Sequence, residues 1–360
     1  MKPKHIFVLA FNIGSLLFFL LMTLIALTVK NSLPDQHAAE RWAGSRNYTQ
    51  VSVFTEGMYA VGIDGIFTMR VNIEKKLVEN SFAPERENAR VWTDAFSTSQ
   101  VRAVISSDKT SSEVNMIVTG GDFFLFHPMD MLYGHYYSDD DIMHDRIVID
   151  DVLAWQLYGA SNIVGKPVVI NGKYYYIAGV FRQSDNNDIE KVYGEKPRVF
   201  MPYQGYSILG ETAYFSCYEA CLPNPVTGLG KKIISETISI GEENYKLVEN
   251  SERYSLKSRF GMIADFGMRS VVDSPIVYPY WENAARITED KSALLLVMQI
   301  LGLIMPAVTV IYYLNKLIRN RKKLVKKATD ALKRILDRSR GRKKSKNSPV
   351  SPQSGETVKS

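Results

Sequence analysis

Two apolar runs, His5 to Val29 and Ser292 to Leu314, stand near opposite ends of the chain, and nothing between them is comparably long and apolar. A helix needs about 20 predominantly apolar residues to cross a bilayer, and each run supplies them. A chain anchored twice in this way folds its middle on one side of the membrane and leaves both ends on the other. Charge says which side. From Lys316 to Lys346, fifteen Lys and Arg stand against Asp330 and Asp337, a local net charge of +13 in a chain of net +6, which leaves −7 for the rest. Lys2 and Lys4 precede the first run. Positive residues flanking a span stay in the cytoplasm, so both termini are expected inside and an acidic body outside. The first run exceeds the ~7–15 residues of a signal-peptide apolar region and no A-x-A site follows it, which favours an uncleaved anchor.

Little in the sequence points to catalysis. There is no G-x-x-x-x-G-K-[ST] phosphate loop, G-x-S-x-G elbow or H-E-x-x-H pair, so no catalytic or cofactor-binding residue is assigned. Cys217 and Cys221 are the only cysteines. Their C-x-x-x-C spacing is not that of a redox motif, and it leaves open two small half-buried residues or a local disulfide. His135, His144, Asp130, Asp139, Asp140, Asp141 and Asp145 crowd the stretch from Asp130 to Asp145. Oxygen-rich loops suit hard cations, but the glycine and carboxylate spacing of a calcium loop is missing. A solvated acidic loop without metal is the expectation.

The most informative stretch runs from Asn115 to Phe181. Val168–Ile170 and Tyr174–Ile177 are two β-rich runs around Asn171-Gly172, a pair that tolerates the positive φ angles of a tight hairpin turn. Upstream, Arg146–Ile149 reads as a strand. Asp150 or Asp151 is placed to cap a helix beginning at Val152, and Gly159 is placed to end it. The pieces come in a recognisable order. They are G-D-F-F (Gly121–Phe124), Tyr133-Gly134, the acidic run Asp139–Asp141, a strand ending in Asp, L-A-x-x-L-Y-G (Leu153–Gly159), Gly165-Lys166, and I-N-G-K-Y-Y-Y-I-A-G-V from Ile170.

This series resembles the MacB-type periplasmic core domain of ABC transporter permeases. The resemblance implies an extracytoplasmic α+β domain of two lobes, one inserted in the other over about 115–200. It also implies ATP hydrolysis by a separate subunit. In that family the cytoplasmic segment touching the ATPase usually carries an E-I-G-x-x-R-A-x-G-like run; RNRKKLVKKATDALKRILDRSRGRKK stands in its place here. The expectation is a truncated, two-span permease-like subunit of an export or envelope-remodelling system in a bacterial plasma membrane. It would pair with a separate ATPase, a four-span permease or a second copy of itself. The alternative is a membrane-anchored extracytoplasmic sensor or scaffold that binds a ligand or protein, with no transport role.

Elsewhere the patterns give shorter readings. Lys30–Thr49 reads as a polar stalk or the start of a helix, and Tyr48–Phe54 as a strand. Phe67, Met69, Val71 and Ile73 alternate, which predicts a strand over Gly65–Ile73. Trp92–Phe96 reads as helix or loop, Arg102–Ser106 as a strand, and Phe123–Phe126 as a core cluster. Ser184–Lys196 reads as an exposed loop, and Arg198–Pro202 as a strand. The resemblance implies that the chain returns after the inserted lobe, with Ile233–Ile240 and Tyr245–Glu249 as returning strands and Ser255–Val272 as a helix packed beside them. Tyr278, Tyr280 and Trp281 are expected at the outer membrane interface. Asn12, Gly14 and Ser15, with Gln299 and Gly302, are the small or polar positions expected to face a partner helix. Beyond Leu314, Leu317, Ile318, Leu324, Val325, Ala328, Leu332, Ile335 and Leu336 recur at helical spacing with Lys and Arg between them. Each basic residue near an anionic leaflet contributes about 1 kcal/mol, so binding to anionic lipid is expected. Nucleic acid is not, since no base-reading fold accompanies the charge. The expected organisation is a cytoplasmic N-terminus (1–4), a first transmembrane helix (5–29), the extracytoplasmic α+β domain (30–291), a second transmembrane helix (292–314), a basic amphipathic cytoplasmic helix (315–346) and a disordered tail (347–360).

Overall fold

Helix α1 (Pro3–Asn31) opens the chain and is followed by a 3-10 turn, Pro34–Gln36, and α2 (Ala38–Ala43). Next come β1 (Tyr48–Thr55), α3 (Ile63–Glu79), β2 (Thr93–Thr98), β3 (Val101–Ser106), β4 (Ser111–Gly121), α4 (Phe123–Phe126) and β5 (Asp130–Gly134). The middle holds β6 (Arg146–Asp150), α5 (Asp151–Tyr158), β7 (Pro167–Ile170), β8 (Lys173–Arg182), α6 (Asn187–Tyr193), β9 (Arg198–Pro202) and α7 (Tyr203–Ile208). The chain continues through β10 (Phe215–Pro223), α8 (Leu229–Thr237), β11 (Tyr245–Glu249), α9 (Leu256–Ala264) and α10 (Tyr280–Ser345). This computed structural model describes residues 3–44, 46–84, 86, 89–267 and 275–345. The tail 347–360 lies outside the described residues, as do the side chains on which the amphipathic reading of 324–336 rests; the helix predicted to reach Val272 ends at Ala264, with turn at 265–267.

The chain divides into two units, residues 21–299 and residues 1–20 with 300–360. In the larger unit the strands are ordered β11-β1-β10-β2-β4-β3-β7-β8-β6-β9, with β5 added on β8. A parallel pairing of Asn115–Thr119 on β4 with Arg198–Pro202 on β9 closes β4, β3, β7, β8, β6 and β9 into a ring. The ring strands share one apolar cluster, including Ile105, Met116, Ile149, Tyr175 and Val199, with Leu153, Ala154 and Leu157 of α5. The hairpin forms as its sequence dictates: Asn171 and Gly172 take φ of 45° and 76°, and Val169 pairs with Tyr174. Asp150 is the cap, accepting the Leu153 N–H at 2.9 Å, and Gly159 ends the helix.

The strands β11, β1, β10 and β2 form an open sheet whose two faces differ in chemistry. Val51, Val53, Tyr218, Ala220 and Leu222 face α3 and α8 through Ile66, Ile73, Ile233 and Ile234. The alternate residues, Gln50, Ser52, Cys217, Glu219 and Cys221, are buried on the opposite face.

Several local readings are corrected. Gly65–Ile73 lies in helix α3, where Ile66, Met69, Ile73 and Leu77 are buried at helical spacing while Phe67 and Val71 are 45% and 64% exposed. The chance alternation of 67, 69, 71 and 73 gave the wrong period. Thr93–Phe96 belongs to strand β2, covered on both faces and so without alternation. Ile233–Thr237 is helical, not a strand. The strand β10, wholly buried, is central to the open sheet and carries no alternating signal. Ser184–Lys196 is not simply an exposed loop: α6 buries Asp188, Ile189 and Tyr193. The stretch after α1 is no free stalk, since Leu33, Ala38 and Ala39 are core residues. Tyr280 and Trp281 are buried in the same core rather than set at a lipid interface.

In the smaller unit the polar positions meet as expected. Asn12 donates to Thr309 Oγ1 at 3.1 Å and Ser15 Oγ to the Gly302 carbonyl at 2.7 Å. Gly14 has open space beside it. Among the described residues two helices are long and apolar enough to cross a membrane, His5–Asn31 and Tyr280–Arg321.

Candidate functional site: a buried charge network at the root of the last helix

The face of the open sheet that carries Gln50, Ser52 and Glu219 is polar yet sealed. Alternation along β1 puts Gln50 and Ser52 on that face, and β10 sets Glu219 opposite Ser52. His127, which follows α4, is 1% exposed and lies between two carboxylates: Nδ1 is 2.7 Å from Asp35 Oδ1 and Nε2 is 2.5 Å from Glu219 Oε2. Ser52 Oγ donates to Glu219 at 2.6 Å and accepts from Asn250 Nδ2 at 2.7 Å. Gln50 ties down the stretch after α1, donating to the Asp35 carbonyl at 2.8 Å and accepting the Ala38 N–H at 2.9 Å.

Burial alone would push the His127 pKa down, but the Glu219 charge and the hydrogen bonds that the ring donates to both carboxylates outweigh it and hold the imidazole up at about 9. Burial likewise opposes charge on Glu219, and the His127 imidazolium reverses it, leaving that carboxyl below its ordinary range. The arrangement is therefore an imidazolium held between two carboxylates, with hydrogen bonds from Ser52 and Gln50 satisfying Glu219. This ring packs against Trp281 in a tilted pair, centroids 4.1 Å apart at an interplanar angle of 38°.

Trp281 opens the first turns of α10, and nearly every polar residue that follows is bonded into the domain. Arg253 holds Glu282 through two bonds of 2.7 and 2.6 Å, Glu289 at 2.6 Å, and Gln36 at 3.1 Å. Two carboxylates on one fully buried guanidinium raise its pKa well above the ordinary arginine value against the desolvation that opposes it. From α6, Asp188 receives both bonds of Lys291 Nζ at 2.6 Å and one from Thr288 Oγ1 at 3.4 Å. Arg259 reaches Gln299 Oε1 at 2.9 Å, and Gln299 donates to Thr23 at 3.0 Å, so Gln299 does face a partner helix. The Arg198 guanidinium lies between the rings of Tyr193 and Tyr280, at 3.6 and 4.1 Å from their centroids. Their π faces meet N–H groups that have no conventional acceptor.

Trp281, Ala284, Ala285, Thr288 and Ser292 follow one another on one helical face, with Gln299 two turns further on, and all are buried. This small and polar stripe is the one sequence signal that marks the root of α10 as part of the folded core. It ran unseen beside a much stronger apolar run. Nothing local in sequence joins Asp35, His127 and Glu219, which are 92 residues apart at each step.

Other sequence candidates are placed as follows. Cys217 and Cys221 are both buried and free, on one face of β10 with Glu219 between them, so no disulfide forms. His135 is exposed and turns Nδ1 toward the Tyr136 carbonyl. Among the described residues no three His, Cys, Asp or Glu side chains are grouped to hold a metal ion.

A family model, the MacB-like periplasmic core domain, matches residues 8–220, more than half of the chain. The chain belongs to the MacB-like periplasmic core domain family. That domain is part of ABC transporter permeases. Similar solved structures include the following two. The periplasmic region of MacB from Actinobacillus actinomycetemcomitans is 12% identical, with 56% of this chain and 89% of that chain covered and a TM-score of 0.41. The extracellular domain of the noncanonic ABC-type transporter YknZ from Gram-positive bacteria is 11% identical, with 55% and 99% covered and a TM-score of 0.37. No curated protein matches the chain.

Proposed function

We propose that this chain is a permease-like subunit of a MacB-like, ABC-type export or envelope-remodelling system. It carries motion between a separate cytoplasmic ATPase and its own extracytoplasmic domain. The observation that carries this reading is the root of α10. A helix whose later part is apolar enough to span a membrane begins as a core element, locked by Trp281, Glu282, Thr288, Glu289 and Lys291. Displacing that root means breaking buried ion pairs, and removal of one member of such a pair costs about 3–5 kcal/mol. Motion of the helix therefore becomes motion of the domain rather than local slippage.

In this reading both termini are cytoplasmic, with spans over 5–29 and 292–314 flanking an extracytoplasmic domain over 30–291. The strand ring is the inserted lobe and the open sheet the other. The basic stretch 315–346 is a helix that adheres to an anionic leaflet. The partners are an ABC ATPase, a four-span permease or a second copy of the chain. The chain itself performs no catalysis. Affinity purification from membranes in mild detergent tests the central partner: an ABC ATPase is expected in the eluate, and recovery of none sinks the transport reading. Replacing the Lys and Arg of 315–346 by Gln is expected to abolish binding of that segment to anionic vesicles. Unchanged vesicle binding would remove the lipid role.

A further inference from the structure

A groove of about 730 Å³ is walled by α3, the entry to β2, α4 and residues 136–140. This is the size of a small-molecule site. Its floor is Asp94, which holds Arg70 at 2.7 and 2.8 Å and accepts from Tyr218 Oη at 2.9 Å. Beside it the chain approaches closely at Gly121, where φ is +67° and a Cβ would meet the Asp94 carbonyl oxygen at 2.5 Å, so only glycine fits. Phe82, Trp92, Phe124 and Tyr136 give the groove aromatic surface, and the last two stack at 4.2 Å.

Charge decides what fits. Both guanidiniums in the groove are already engaged, Arg70 by Asp94 and Arg90 by Asp122. Glu74, Asp139 and Asp140 line the same groove and form no ion pair among the described residues. Asp139 accepts the Gly121 N–H at 3.0 Å, and the two guanidiniums and five carboxylates that line the groove leave a net charge of −3 beside these aromatic rings. An anion is repelled, and a neutral apolar molecule leaves the carboxylates facing it unsolvated. A cation on an apolar body satisfies both surfaces, by charge and by cation–π contact.

We propose that this groove binds an organic cation, an amine or guanidinium carried on an aromatic or apolar body. Glu74, Asp139 and Asp140 receive the charge, and Phe82 and Trp92 receive the body. Burial raises the Asp139 carboxyl, and an arriving cation lowers it again. The site goes beyond force transmission and does not depend on it.

The test is fluorescence anisotropy of rhodamine 6G, an aromatic cation, with the full chain in nanodiscs of neutral lipid and empty nanodiscs subtracted. Saturable binding is expected, weakened at least tenfold by the combination Glu74→Gln, Asp139→Asn and Asp140→Asn, and by Trp92→Ala. If the triple variant melts early, Asp140→Lys alone, at an exposed position, is expected to weaken binding to the same degree. Absence of saturable binding overturns the proposal. So does undiminished binding by Asp140→Lys, or equal binding of anionic fluorescein.

Discussion

At the scale of single residues, His127 sets the pH response. Its pKa is about 9 in the folded chain against an ordinary value near 6.5. Between those values the folded state holds a proton that the unfolded state has lost, so stability falls as pH rises. The contribution is complete below about 6.5 and gone once pH passes about 9. Glu219 works in the opposite direction: its lowered pKa adds stability above about 4.5 that is lost as pH falls through the folded value. Thermal melts of the full chain in detergent from pH 6 to pH 10 are expected to show a steady alkaline loss, and His127→Gln to flatten it while lowering Tm at neutral pH. An unchanged slope in the variant would show that another group governs the limb. The cysteines give a second check. Burial pushes both thiols well above the ordinary range, and the thiolate is the reactive form. Maleimide is expected to label neither Cys217 nor Cys221 in the native chain and both in urea.

At the scale of elements, α3 gives a direct comparison. Ile73 is fully buried and Val71 is 64% exposed. Ile73→Ala is expected to cost about 2–5 kcal/mol and Val71→Ala no more than about 0.5, measured by urea denaturation. Equal costs would restore the strand pattern that puts both side chains on one face. The elements legible in the sequence were those with their own local chemistry: Asn171-Gly172 at the turn, Asp150 as cap, Gly159 as stop. Those misread, α3, β2 and α8, took their form from neighbours across the sheet. Strand β10 lacked alternation because both its faces are buried. The charge network was not legible at all. Its members come from β1, β10, α6, α10 and three connecting segments, and Arg253 and Gln36 meet across 217 residues. What the sequence did offer was the small and polar stripe from Trp281 to Gln299. Trp281→Ala is expected to cost about 3–5 kcal/mol, which a ring resting at a lipid interface would not.

At the scale of the whole molecule, membership of the MacB-like family gives the domain its transporter setting, and under the proposed function the rooted helix is what passes on motion. Arg253 is the hub of that root, bonded to Glu282, Glu289 and Gln36. The most direct measurement is ATP turnover by the chain co-purified with the proposed ATPase partner and reconstituted in nanodiscs, compared with the same complex carrying Glu282→Gln and Glu289→Gln. The expected result is that the ATPase is retained while the influence of the extracytoplasmic domain on turnover falls at least tenfold. Identical turnover and response in the two complexes would contradict transmission through the root of α10.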